Sequence, residues 1–151
     1  MGKKDHIRDY ATAAFRFYKA SGGAEAYKNK VWNDALMKSQ KSDYKNNGIS
    51  KPTEAAIMRA QTAVDKAVAD IAELEAVERT LDIISGKQNG RAMLEAVNIV
   101  YFTDADKALK KGDIHNRVTN ASSNIPVSES SVYKYLKKAR FCFAVERGLR
   151  I

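Results

Sequence analysis

The amino-acid sequence predicts an all-α fold, and three observations predict it. Apolar residues recur at three- and four-residue spacing along nearly the whole chain, the mark of helices with one buried face. No stretch sustains the every-second-residue alternation of a half-buried strand. The interruptions carry turn chemistry, with Ser-Gly-Gly at 21–23, Asn-Gly at 47–48 and Ser-Gly at 85–86. At 151 residues the chain is the size of one domain, or of a small domain with a helical appendage. That length can bury a core without disulfides or a metal, and the single cysteine, Cys142, cannot form an internal disulfide.

Each element follows from local pattern. Ile7, Tyr10, Ala11, Ala14, Phe15 and Tyr18 share one face of a first helix, which Ser21–Gly23 stops. A second helix is expected from about Ala24 to Met37, with Tyr27, Val31 and Ala35 on one line. Residues 39–52 are polar and lysine-rich and read as a mobile linker. Thr53 is a candidate N-cap for a long central helix. In it Ile57, Val64 and Ile71 recur every seven residues, as do Ala60, Ala67, Leu74 and Leu81, with Glu78 a weak point. Such a seam suits a coiled-coil homodimer or packing within the chain, and its many alanines favour the second. A further helix begins near Arg91, and 103–113 is a short helix or turn ending at Gly112. The organisation is therefore an N-terminal helical region and linker over 1–52, a long central helix over 53–90, and a C-terminal helix-turn-helix over 91–151.

Charge is segregated along this layout. The formal total is +8, distributed as +6 over 1–52, −4 over 53–85, −1 over 86–106 and +7 over 107–151. Basic ends around an acidic middle are the electrostatic footprint of a nucleic-acid binder. Catalytic groups do not converge. His6 and His115 stand alone, Cys142 lies at an apolar helical position, and the carboxylates Asp65, Asp70, Glu73, Glu75, Glu78 and Asp82 scatter around the helical wheel as a solvated surface. No phosphate-binding or dinucleotide motif occurs. The reading is not an enzyme, with no metal and no cofactor. The stretch YATAAFRFY is short and carries Arg16, so no membrane span is expected there.

The closing segment VSESSVYKYLKKARFCFAVERGL carries the functional reading. Ser128 sits where an N-cap belongs, with Glu129 at the positive end of the helix dipole. Val132, Leu136, Ala139 and Phe143 form an apolar stripe flanked by Tyr135 and Cys142. Ser130, Tyr133, Lys134, Lys137, Lys138 and Phe141 occupy the opposite arc, about 100 to 240 degrees from Val132. Ile114, Val118 and Ala121 give a preceding helix, and SSNIPVS breaks the two apart. In a helix-turn-helix the second helix enters the major groove and presents its N-terminal side chains to base edges. Ser128, Ser130, Ser131, Tyr133 and Lys134 are the candidates for bases, and Arg117, Lys137, Lys138 and Arg140 for phosphates.

The run VSESSVYKYLKKAR resembles the helix-turn-helix of sigma-factor region 4, whose pattern is met by Val127, Ser128, Val132, Leu136, Ala139 and Arg140. It departs from that pattern in having SSNIPV, with Pro126, where a tight glycine turn is usual. The closing FAVERGLRI, with AFRFY near the start, resembles the ArpU/RinA-like late-gene regulators of phages and prophages of Gram-positive bacteria. The resemblance implies a sequence-specific DNA-binding transcriptional regulator, phage-encoded and acting on late genes. Its partner would be double-stranded DNA, with RNA polymerase and a second copy through the central helix as further candidates. Its location would be the reducing cytoplasm of the bacterial host, with the nucleoid. The alternative is a DNA-packaging recognition protein like a phage terminase small subunit, and a third reading is an adaptor whose basic ends bind an acidic protein.

Overall fold

The computed structural model describes residues 5–47 and 53–150, with side chains of 40–47 left aside. Seven helices carry these residues: α1 (His6–Ser21), α2 (Ala24–Asn47), α3 (Glu54–Lys66), α4 (Val68–Ser85), α5 (Gly90–Val100), α6 (Asp113–Asn124) and α7 (Glu129–Arg147). Among the described residues there is no strand, so the all-α expectation holds. None of the described helices is long and apolar enough to cross a membrane.

The body is built around α7. Its stripe of Val132, Leu136, Ala139 and Phe143 is completely or almost completely buried, and it packs on α1, α4, α5 and α6. Phe15 of α1 lies against Phe143 at 5.8 Å between ring centroids and stacks on Tyr101 at 5.5 Å. Val77 and Ile84 of α4, Val97 and Val100 of α5, and Val118 of α6 close the same core. Each large side chain so buried contributes about 1.5–3 kcal/mol from apolar area removed from water.

Two departures from the expected layout have clear causes. The lysine-rich run after Met37 is not a linker as far as the structure describes it, because α2 continues to Asn47. Lys, Gln and Ser are tolerated in a helix, and neither Gly nor Pro occurs between Met37 and Gly48. The rest of the expected linker, 48–52, lies outside the described residues. The long central helix, in turn, is two helices meeting at Ala67. The Ala67 amide donates to both the Ala63 and Val64 carbonyls, and its own carbonyl accepts from Ile71, so the hydrogen-bond ladder tightens without being lost. The packing partner changes there: α3 lies along α2, whereas α4 joins the body. Ala60, Val64 and Leu74 of the heptad seam are buried within the chain, leaving Ile57, Met58 and Val68 exposed. The segment 103–112 is a series of turns.

Helix ends are set by local chemistry. The Asp5 carboxylate accepts from the Arg8 amide (2.9 Å), which holds its pKa below the usual carboxylate value. The Thr53 hydroxyl accepts from the Ala56 amide, and that of Ser128 from the Ser131 amide, each at 3.1 Å. Glu78, the weak point of the seam, accepts from the Ala24 amide (3.0 Å), placing a carboxylate at the positive end of α2. The Tyr27 hydroxyl donates to Asp70 (3.0 Å). Two carboxylates of the acidic middle therefore hold α2 to α4 instead of facing solvent alone.

The link from α5 to α6 hangs on one side chain. Arg16, 7 % exposed, donates from its two terminal nitrogens to the carbonyls of Tyr101, Thr103, Asp104 and Lys107, at 2.5–3.1 Å. Burial, with the nearby Arg117 charge second, lowers its pKa from the ordinary arginine value. Replacing Arg16 with Met, which keeps the aliphatic stem, is expected to cost about 3 kcal/mol by orphaning several carbonyls. That would lower the melting temperature by roughly 6–12 °C in thermal denaturation; a loss below about 1 kcal/mol would show that those carbonyls find other donors. Ser128→Ala is expected to cost about 1 kcal/mol in urea denaturation through loss of the α7 cap.

Candidate nucleic-acid interface

The last two helices meet through a turn spanning Ile125 to Ser128. Ile125 is buried beneath it, and the Ser122 hydroxyl donates to the Val127 carbonyl at 2.6 Å. The Thr119 hydroxyl donates to the Glu129 carboxylate (2.9 Å), tying the middle of α6 to the first turn of α7. His115 Nδ1 lies 3.3 Å from the Tyr133 hydroxyl, so this histidine is engaged with α7. These contacts fix the rotation of α7 about its own axis.

That rotation exposes the face opposite the stripe. Ser130, Tyr133, Lys134, Lys137, Lys138 and Phe141 are all exposed, Phe141 to 55 %. Lys134, Lys137 and Lys138 gather around Phe141 in a recess of about 300 Å³, together with Lys87 from the turn between α4 and α5. Among the described residues, no carboxylate lines this recess. The two ion pairs among the described residues, Arg8–Asp9 and Arg79–Glu146, involve none of its lysines. Four lysines lining one recess with an exposed aromatic ring suit a polyanion whose phosphates take the charges.

The remaining expected site residues stand apart from this face. Ser128 and Ser131 bond one another through their hydroxyls (3.0 Å), and Ser128 also caps α7. Arg117 is half-buried and donates to the Val100 carbonyl at the end of α5 (3.2 Å). Arg140, also half-buried, donates to the Tyr101 hydroxyl at 2.8 Å. Both arginines brace the body, because their guanidinium groups find buried acceptors at the edge of the core.

Lys87 was not singled out from the sequence. Its turn, SGKQNGR, signals only a helix end, and nothing local links it to a helix starting some forty residues later. The turn holds Lys87 because Gly90 follows it: a Cβ at Gly90 would collide with the Ile84 backbone carbonyl, so only glycine lets the chain double back there. Cys142 is buried against α4, and burial raises its thiol pKa, which makes it a poor nucleophile. Compared with known proteins, the chain matches no family model, no curated protein and no solved structure.

Proposed function

We propose that this chain is a sequence-specific DNA-binding transcriptional regulator, phage-encoded and acting on late genes, which holds duplex DNA through a sigma region 4-like helix-turn-helix formed by α6 and α7. The observation that supports it is the outward lysine face of α7, with Lys87 beside it and no carboxylate in the recess. A helix buried along one stripe and cationic along the other can be pressed against a polyanion without disturbing its own core. Ser130, Tyr133 and Lys134, in the first turns, are assigned to base edges. Lys137, Lys138 and Lys87 are assigned to phosphates, where they supply affinity without sequence information. Arg117 ties α6 to the end of α5 and Arg140 ties α7 to Tyr101, so both are assigned as braces of the motif. RNA polymerase remains the proposed protein partner, reached through the exposed acidic side chains of α4, among them Glu75 and Asp82.

Lys134→Ala combined with Lys138→Ala is expected to weaken binding about tenfold, to a duplex selected from a randomised pool, in a fluorescence-anisotropy titration. The slope of log affinity against log salt should become shallower by roughly 1, the counterion released at the phosphate assigned to Lys138. Both lysines are exposed, so circular dichroism should remain that of the parent. Unchanged affinity together with an unchanged salt slope would remove α7 from the interface.

A further inference from the structure

A second cavity lies on the other flank of α7, between α1, the 107–109 turn and the start of α6, with a volume of about 670 Å³. Its floor is formed by Arg16, Tyr101 and Leu136, all buried. Ala13, Leu109, Ile114 and Tyr133 supply its sides, so most of the lining is apolar or aromatic. Cations converge on this apolar bed: Arg8, Arg16, Lys107 and Arg140 line it, against one carboxylate, Asp9, which already pairs with Arg8 at 3.4 Å.

Four cations outnumber the one carboxylate of the lining, with Asp104, Asp106 and Asp113 acting on Arg16 from outside it. Arg16 is bonded by backbone carbonyls, which solvate its charge without neutralising it. Arg140 is fixed by the neutral Tyr101 hydroxyl through one terminal nitrogen, and its charge acts on the exposed Asp5 carboxylate. A concave site with low-dielectric walls and an excess of positive charge focuses potential far more than the same charges on a convex face. Its size and its few polar groups on an apolar bed match small-molecule sites, whose volumes run to several hundred Å³.

We propose that this groove binds a small organic anion with an apolar body, its acidic group between Arg140, Arg8 and Lys107 and its body against Leu109, Ile114 and Tyr133. The groove shares Tyr133 with the residues assigned to base edges but none of the lysines of that face, so the lysine variants separate the two assignments. Tyr133, Leu136 and Arg140 belong to the same helix as those lysines, so an occupant would press on α7 from the side facing α1.

The probe is 8-anilinonaphthalene-1-sulfonate, an anion with an aromatic body, titrated into the full chain by fluorescence and compared with uncharged N-phenyl-1-naphthylamine. One saturable site is expected for the anion, at least tenfold tighter than for the neutral analogue and weakened by salt. Ala13→Trp, which fills the groove from an exposed position, and Leu109→Glu, which sets a negative charge at its mouth, should each weaken the anion at least tenfold. Lys134→Ala with Lys138→Ala should leave it unchanged. Equal binding of the two probes would overturn the proposal, as would indifference to Ala13→Trp and Leu109→Glu in variants of parental helix content. Loss of the probe on replacing Lys134 and Lys138 alone would place it in the recess around Phe141 and equally overturn the groove.

Discussion

Arg16 carries a full charge into the interior and has it solvated by four carbonyls of the segment that leaves α5. A buried guanidinium is costly unless its donors are satisfied, and an irregular loop has carbonyls with no ladder to join. Each need answers the other. The result fixes Tyr101, whose ring stacks on Phe15 and whose hydroxyl accepts from Arg140 of α7. The chain from α1 through the loop to α7 is therefore one continuous set of contacts, and the seat of the cationic helix depends on it.

Given that seat, α7 divides its surface into a dry side and a charged side. The stripe from Val132 to Phe143 is dry, and the opposite face holds hydroxyls, lysines, the exposed rings of Tyr133 and Phe141 and, near its end, the exposed Val145. Lysines at such a face stabilise the fold little, since exposed charges interact weakly in water. Their grouping without carboxylates adds repulsion, a cost that a docked polyanion would reverse. The acidic middle of the chain does not neutralise them. Glu78 and Asp70 point instead to α2, where one meets a helix N-terminus and the other a tyrosine hydroxyl.

Much of the fold was legible because helical amphipathicity is a local property. The first helix, its stop at Gly22, the caps at Thr53 and Ser128, and the buried stripe of α7 follow from neighbours within a few residues. The end of α2 was not legible, since a polar helix and a polar loop have the same composition. The break at Ala67 was hidden as well. No glycine or proline marks it, and it falls where α3 leaves off packing on α2 and α4 begins packing on the body.

The sequence by itself determined that the chain is helical, where most helices begin, and which face of its last long helix is cationic. Periodicity and capping act over single turns, so no distant contact is needed to read them. Only the tertiary structure decided what the long polar side chains do. Arg16 meets acceptors 85 to 91 residues away, and Arg117 and Arg140 turn inward to oxygens at the end of α5. Lys87 joins the lysines of α7 from another turn. A flexible cation points to whichever acceptor the assembled fold brings near, and that is a property of packing, which spacing along the chain does not encode.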